Sequence, residues 1–144
     1  MIRKIILVET LLLLFFTGTA VTGQNVEVKI TGIRSAKGQI AIGIFLDDET
    51  FQKEKQYLSK KFEKSTLVKG EMNVRFSLEP GTYGLSLLDD ENSDGKMKYN
   101  FLGIPKEGFG FSDYYHTGFK MPKFKSFSFS IDKDQVKRIT VRMR

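Results

Sequence analysis

Hydrophobic and polar residues alternate one by one along six segments of this chain of 144 residues. Successive side chains of a β-strand point to opposite faces of a sheet, so this period of two predicts strands that each bury one face. The hydrophobic positions are Val26, Val28 and Ile30, then Ile40, Ile42, Ile44 and Leu46, then Met72, Val74, Phe76 and Leu78, then Tyr83, Leu85 and Leu87, then Phe127, Phe129 and Ile131, and finally Ile139, Val141 and Met143. The pattern predicts an all-β fold, an antiparallel β-sandwich of about seven strands.

One segment, residues 47–64, breaks this alternation. It is rich in Lys and Glu, and its residues Phe51, Leu58 and Phe62 are separated by seven and four positions. Such spacings place side chains on one side of an α-helix. The segment therefore predicts one short helical insertion between strands, and a mobile basic lid is the alternative interpretation.

Residues 1–23 have the three parts of a secretory signal peptide. Arg3 and Lys4 are followed by a short apolar run and then by small residues up to Gly23. The uninterrupted apolar stretch, residues 11–16, is far shorter than the roughly 20 residues that span a bilayer. We therefore expect a cleaved signal peptide at 1–23, export to the periplasm or the exterior, and no transmembrane segment in the mature chain. Residues 24–144 are expected to form a single β-sandwich domain, and an uncleaved N-terminal anchor is the alternative to cleavage.

The composition limits the partners and the chemistry of the chain. It contains no Cys, which excludes a disulfide scaffold and a thiol nucleophile, so packing or a bound ion must supply the stability of the exported domain. The formal net charge is +6, and lysines cluster in residues 53–64 and 120–125. Nucleic-acid binding needs basic residues interleaved with stacking rings, and export removes the protein from nucleic acid, so no such partner is expected. An envelope protein, envelope polysaccharide or anionic lipid remain as partner classes, beside charge that serves solubility alone.

An acidic turn follows the fourth alternating segment. Asp90, Asn92 and Asp94 alternate and precede Gly95, which matches the first half of a calcium-binding loop. The candidate metal ligands are Asp89, Asp90, Asn92 and Asp94. The twelfth position from Asp90 is Phe101 instead of Glu, and no helix pair flanks the loop, so an EF-hand is excluded. A weak Ca²⁺ site is one interpretation, and a polar hairpin turn that holds no cofactor is the other.

The long connection after this turn is rich in aromatic residues and Gly. Its candidate ligand-binding residues are Phe109, Phe111, Tyr114, Tyr115 and His116. Burial of aromatic rings is strongly favourable, so one interpretation is that these rings close the open end of the sandwich core. The alternative is an exposed aromatic platform that recognises a ligand or partner.

Nothing in the sequence has the spacing of a catalytic site. The single His, His116, lies within five residues of Ser112 and Asp113, and such close neighbours rarely converge as a catalytic triad. Glu107 and Asp90 are a conceivable pair of opposed carboxylates, but nothing in the sequence fixes the distance between them. We therefore expect that the protein is not an enzyme.

Several motifs occur in the order of a known bacterial family. They are Gly-Thr-Tyr-Gly at 81–84, Asp-Asp-Glu-Asn-Ser-Asp-Gly at 89–95, Phe-Leu-Gly-Ile-Pro-Lys-Glu-Gly at 101–108, Phe-Gly-Phe-Ser at 109–112 and Pro-Lys-Phe-Lys-Ser-Phe-Ser at 122–128. On these motifs the chain resembles the DUF2141 family over nearly the whole mature sequence. The resemblance implies an exported bacterial β-sandwich of the immunoglobulin-like or transthyretin-like kind, whose biochemical role is uncharacterised.

These observations favour an exported, non-enzymatic binding module that uses the acidic turn and the aromatic loop. The alternative is a structural or accessory envelope domain that contacts another protein and binds neither an ion nor a small ligand. The identity of the partner and the oligomeric state do not follow from the sequence.

Overall fold

The computed structural model describes residues 24–144, and the predicted signal peptide at 1–23 lies outside the described residues. The described residues form eight strands and two short helices. The strands are β1 (Val26–Thr31), β2 (Gln39–Phe45), β3 (Leu58–Glu63), β4 (Met72–Phe76), β5 (Gly81–Asp90), β6 (Gly108–Phe111), β7 (Ser128–Ile131) and β8 (Lys137–Arg142). The helices are α1 (Asp48–Gln52) and a 3₁₀ turn (Phe124–Ser126). The predicted all-β class is confirmed.

The strands form two sheets, as a sandwich requires. The first sheet has the order β4-β1-β8, and the second has the order β3-β2-β5-β6, with β7 paired to the first half of β5. One pair departs from the antiparallel pattern, because β1 and β8 run parallel. The chain reaches β8 by crossing from the second sheet to the first after β7, and this crossover brings β8 alongside β1 in the same direction.

The hydrophobic core lies between the sheets and is built from the alternating positions. Nearly all of them are buried there, and Ile40, Ile42, Leu85 and Val141 are fully buried. Leu46, just beyond the end of β2, is exposed instead. Burial of one face of each strand supplies the main driving force for this packing.

A second apolar cluster covers the opposite, outer face of the five-stranded sheet. We call it the outer Phe cluster, and it consists of Phe45, Phe51, Phe111, Phe124 and Phe127, with Phe109 and Tyr114 packed against it. Gly84 lies beneath it, where a Cβ atom would come within 2.5 Å of the Phe127 ring. Phe127 belongs to this cluster and not to the core with Phe129, because β7 begins only at Ser128.

The helix in the predicted insertion is shorter than the spacing of Phe51, Leu58 and Phe62 predicts. The helix α1 spans five residues, and its N-cap Asp47 accepts a hydrogen bond from the Thr50 N–H at 2.7 Å. Leu58 and Phe62 do not continue the side of the helix that carries Phe51, because they belong to β3, which pairs with β2. Pairing with the sheet satisfies the backbone groups of this segment, and it overrides the weak helical spacing.

Candidate functional site

The acidic turn begins at the end of β5, where Asp90 organises the backbone of residues 91–95. Its carboxylate accepts hydrogen bonds from the N–H groups of Asp94 (3.1 Å) and Gly95 (2.9 Å). The side-chain amide of Gln39 donates a third bond to it at 2.8 Å. Asp90 itself is fully buried, so these three donors replace the water that its charge has lost. The geometry is that of a carboxylate-stabilised turn.

Asn92 and Asp94 lie on the exposed part of the same turn. The Asn92 amide donates to the Asp94 carboxylate at 3.0 Å, and the Lys98 ammonium contacts the same Asp94 oxygen at 2.8 Å. The hydrogen bond from Lys98 is the main reason that the pKa of Asp94 lies below its usual value, and it also raises the pKa of Lys98. A cation of the chain itself therefore already compensates the Asp94 charge.

Asp89 points the opposite way from Asp90, because consecutive residues of a strand face opposite sides. Its side chain lies on the inner side of the sheet, in register with Ile40, and forms a buried ion pair with Lys64. The structure therefore brings Asp90, Asn92 and Asp94 together and separates Asp89 from them. Among residues 24–144, no three side chains of His, Cys, Asp or Glu are arranged to hold a metal ion. The calcium interpretation remains a prediction.

The five candidate residues of the aromatic loop are distributed between the outer Phe cluster and the surface. Phe111 is buried in the cluster, and Phe109 and Tyr114 pack against it half-buried. His116 meets the Phe111 ring edge-on, with the ring centroids 5.9 Å apart. Tyr115 is exposed and lies under the Arg142 guanidinium, 4.5 Å from its ring centroid. Most of these rings therefore cover the outer face of a sheet, and Tyr115 is the one exposed ring among the five candidates.

An ordered hairpin at residues 98–106 emerges next to the acidic turn. Its two arms are joined by hydrogen bonds from the Lys106 N–H to the Lys98 carbonyl (2.8 Å) and from the Asn100 N–H to the Ile104 carbonyl (2.9 Å). The Asn100 side-chain oxygen accepts from the N–H groups of Leu102 and Ile104. Gly103 has a φ of +74°, which the tight turn at the tip requires. The backbone of this 98–106 hairpin is therefore fixed by its own bonds.

The 98–106 hairpin presents apolar side chains to solvent. Phe101 is 95 % exposed, and Tyr99, Leu102 and Ile104 are also exposed. A contiguous exposed apolar surface of this kind usually marks an interaction site. The sequence interpretation concentrated on the rings after Gly108 and missed this tip. The available signal was an apolar Phe-Leu-Gly-Ile-Pro run enclosed by an Asn and a Lys, away from any alternating segment.

Comparison with known proteins identifies the family. Residues 28–140 match the model of a family described as an uncharacterized protein conserved in bacteria, DUF2141. The chain belongs to the DUF2141 family. The match contains the acidic turn, the 98–106 hairpin and the aromatic loop, so all three are parts of the DUF2141 domain. No curated protein and no solved structure matches this chain. In the described part of the DUF2141 chain, no helix has the length and hydropathy to cross a bilayer.

The residues that a catalytic triad would use make separate structural bonds in this DUF2141 domain. The buried Ser112 hydroxyl donates to the Phe127 carbonyl and accepts from the Leu85 N–H. The Asp113 carboxylate accepts from the Thr140 N–H at 2.7 Å. Ser112 therefore fastens the aromatic loop to β5, and Asp113 fastens it to β8.

Calcium is expected to leave the melting temperature of the DUF2141 domain unchanged at millimolar concentration. A bound Ca²⁺ ion would have to displace the N–H donors from Asp90 and the ammonium of Lys98 from Asp94. Ligand binding to the folded state alone always raises the melting temperature, so differential scanning fluorimetry with CaCl₂, against NaCl of equal ionic strength, measures the effect. A saturable rise with CaCl₂ that disappears in Asp94→Asn would contradict this expectation and establish a calcium site.

Proposed function

We propose that this DUF2141 chain is an exported, non-enzymatic β-sandwich module that attaches to the anionic lipid surface of the cell envelope through the tip of its 98–106 hairpin. The observation that carries the proposal is the exposure of Phe101, Leu102 and Ile104 on a hairpin whose backbone is ordered. Export rests on the signal-peptide pattern of residues 1–23.

The charges around the hairpin are suited to an anionic surface. Lys106 lies at its base and Lys96 precedes it, and both are exposed, whereas the Lys98 ammonium is already paired with Asp94. A Lys near an anionic membrane contributes about 1 kcal/mol of attraction, and insertion of apolar side chains adds roughly 25 cal/mol for each Å² removed from water. Lysines at the base and apolar residues at the tip allow both contributions to act in one orientation.

The internal bonds of the hairpin also favour attachment. Asn100 holds the turn with its side chain, so the tip keeps its form without the partner. A contact surface that is already ordered loses less conformational entropy when it binds. The sandwich beneath it has no need to rearrange, because the hairpin emerges between β5 and β6 beyond the ends of the paired residues.

Vesicle cosedimentation tests the proposal. The purified mature protein is expected to sediment with vesicles of phosphatidylglycerol and phosphatidylcholine, and less with phosphatidylcholine alone. The double variant Phe101→Ser/Leu102→Ser is expected to lose at least about tenfold in affinity, because both side chains no longer enter the lipid interface. The matched control is Phe119→Ser, since Phe119 is 99 % exposed but lies outside the hairpin.

Two results would contradict lipid attachment. One is a wild-type protein that stays in the supernatant with every vesicle composition, and the other is equal loss of binding in the Phe119→Ser control. The first result would favour the alternative function, an accessory domain that contacts another envelope protein. N-terminal sequencing of the exported protein tests the predicted cleavage near residue 23 independently.

A further inference from the structure

Lys64 and Asp89 form a buried ion pair at one end of the core. The side chains of both residues are only 1 % exposed, and their charged groups are in direct contact. The Lys64 ammonium also donates to the carbonyls of Ser35 (2.9 Å) and Lys37 (2.6 Å). These two carbonyls hold Nζ against the Asp89 carboxyl group.

The second oxygen of Asp89, Oδ2, is buried and has no hydrogen-bond partner among residues 24–144. A carboxylate in a dry site normally has all its oxygens paired, because an unpaired charged atom there costs several kcal/mol. Gly108 lies opposite Asp89 in the strand register and has no side chain that could donate to Oδ2. A Cβ atom at Gly108 would lie 3.7 Å from Oδ2. The neighbouring segment thus places no donor at this oxygen.

The surrounding backbone fixes the approach of the two side chains. The turn that supplies the two carbonyls ends at Gly38, whose φ is +72°. A Cβ atom at Gly38 would lie 2.0 Å from the Asp90 carbonyl, so the turn sits tightly against the end of β5. Lys64 follows β3 and Asp89 lies in β5, two strands that flank β2 in the same sheet. The amine and the carboxyl group are therefore positioned by three segments at once.

We propose that Lys64 and Asp89 become joined by an intramolecular amide bond. One proton passes from the Lys64 ammonium to the Asp89 carboxylate, which gives a neutral amine and a carboxylic acid. Nζ then attacks Cγ of Asp89, a C–O bond of the carboxyl group breaks, and its oxygen leaves with two protons as water. The reaction consumes no oxidant, metal or cofactor, and it removes both buried charges.

The product fits the site and supplies something that the sequence lacks. The amide keeps one N–H, which can donate to the Lys37 carbonyl that the ammonium now contacts. The bond links residues 25 positions apart and spans β2, from the end of β3 to β5. A chain with no Cys has no disulfides, and an amide cross-link stabilises the fold by restricting the unfolded chain in the same way.

Tryptic peptide mapping of the full chain by mass spectrometry tests the proposal. Trypsin does not cut after an acylated lysine, so the bond predicts one branched peptide that joins residues 62–69 to residues 76–96. Its mass is expected to be lower than the sum of the two peptides by one water molecule. Cleavage after Lys64 together with a free peptide 76–96 overturns the proposal, and this wild-type result requires no variant that folds.

Two variants confirm the chemistry. Lys64→Arg keeps the cation but is expected to lack the branched peptide, because a guanidinium is a poor nucleophile. Asp89→Asn is expected to give a branched peptide of the same mass as the wild type, since its amide expels ammonia and leaves the same product. The matched control Asp90→Asn changes the adjacent carboxylate and is expected to keep the cross-link. A branched peptide that persists in Lys64→Arg would place the bond elsewhere and overturn the assignment.

Discussion

Replacement of Lys64 by methionine is expected to lower the free energy of unfolding by about 3–5 kcal/mol. The substitution removes the ammonium that contacts Asp89 and leaves that carboxylate fully buried, with its other oxygen already unpaired among the described residues. It also frees the carbonyls of Ser35 and Lys37. Urea denaturation followed by far-ultraviolet circular dichroism measures the change, as a shift of the midpoint at constant slope.

Two further variants separate the causes of this loss. Lys61→Met, on an exposed position of β3, is expected to stay within about 0.5 kcal/mol of the wild type. The double variant Lys64→Met/Asp89→Leu is expected to recover much of the loss, because an apolar pair can replace a buried ion pair. A Lys64→Met protein as stable as Lys61→Met would show that Asp89 does not depend on Lys64.

Truncation of Phe51 to alanine is expected to cost about 3–5 kcal/mol, the range for buried Phe→Ala substitutions. Phe51 is buried at the centre of the outer Phe cluster, where its ring centroid lies 5.2 Å from Phe45, 5.9 Å from Phe111 and 4.7 Å from Phe127. It is the only buried side chain of α1, so its loss leaves a cavity and releases the helix from the sheet. Thermal and urea unfolding monitor the effect.

The control for this prediction is the same substitution at an exposed ring. Phe119→Ala is expected to change the free energy of unfolding by less than about 0.5 kcal/mol, because Phe119 is almost fully exposed. Similar losses in the two variants would mean that Phe51 is not packed in a second core. A large loss for Phe51→Ala alone would show that the outer Phe cluster contributes to the stability of the fold.

The strands that bury one face were predictable from the alternation in the sequence, whereas β3 and β6 were not. β6 reads Gly-Phe-Gly-Phe, and the sequence interpretation treated it as part of an aromatic loop. Gly110 is required because a Cβ atom there would lie 2.6 Å from the Val141 side chain. The local pattern of β3 predicts part of a helical insertion, since its side chains are mostly exposed and carry little alternation. In both cases the pairing with a distant strand, and not the local pattern, makes the segment a strand.

The candidate site also contains single residues whose placement depends on the tertiary structure and not on the local pattern. Asp89 and Asp90 are adjacent and chemically identical, and the sequence alone makes both of them candidate metal ligands. The position of Asp89 in β5 turns it towards the core with Leu85 and Leu87, and Asp90 towards the turn. Its partner Lys64 lies 25 residues away and reaches it only because β3, β2 and β5 are neighbours in one sheet.

The sequence alone determined the class of the fold and the residues of its main core, because the period of a strand is set by the local geometry of each residue. It also contained the family motifs. Only the tertiary structure decided that Lys64 meets Asp89, that the aromatic loop covers the outer face of a sheet, and that the hairpin tip stays exposed. Those features depend on which distant segments become neighbours, and the spacing of residues along the chain carries no direct record of that.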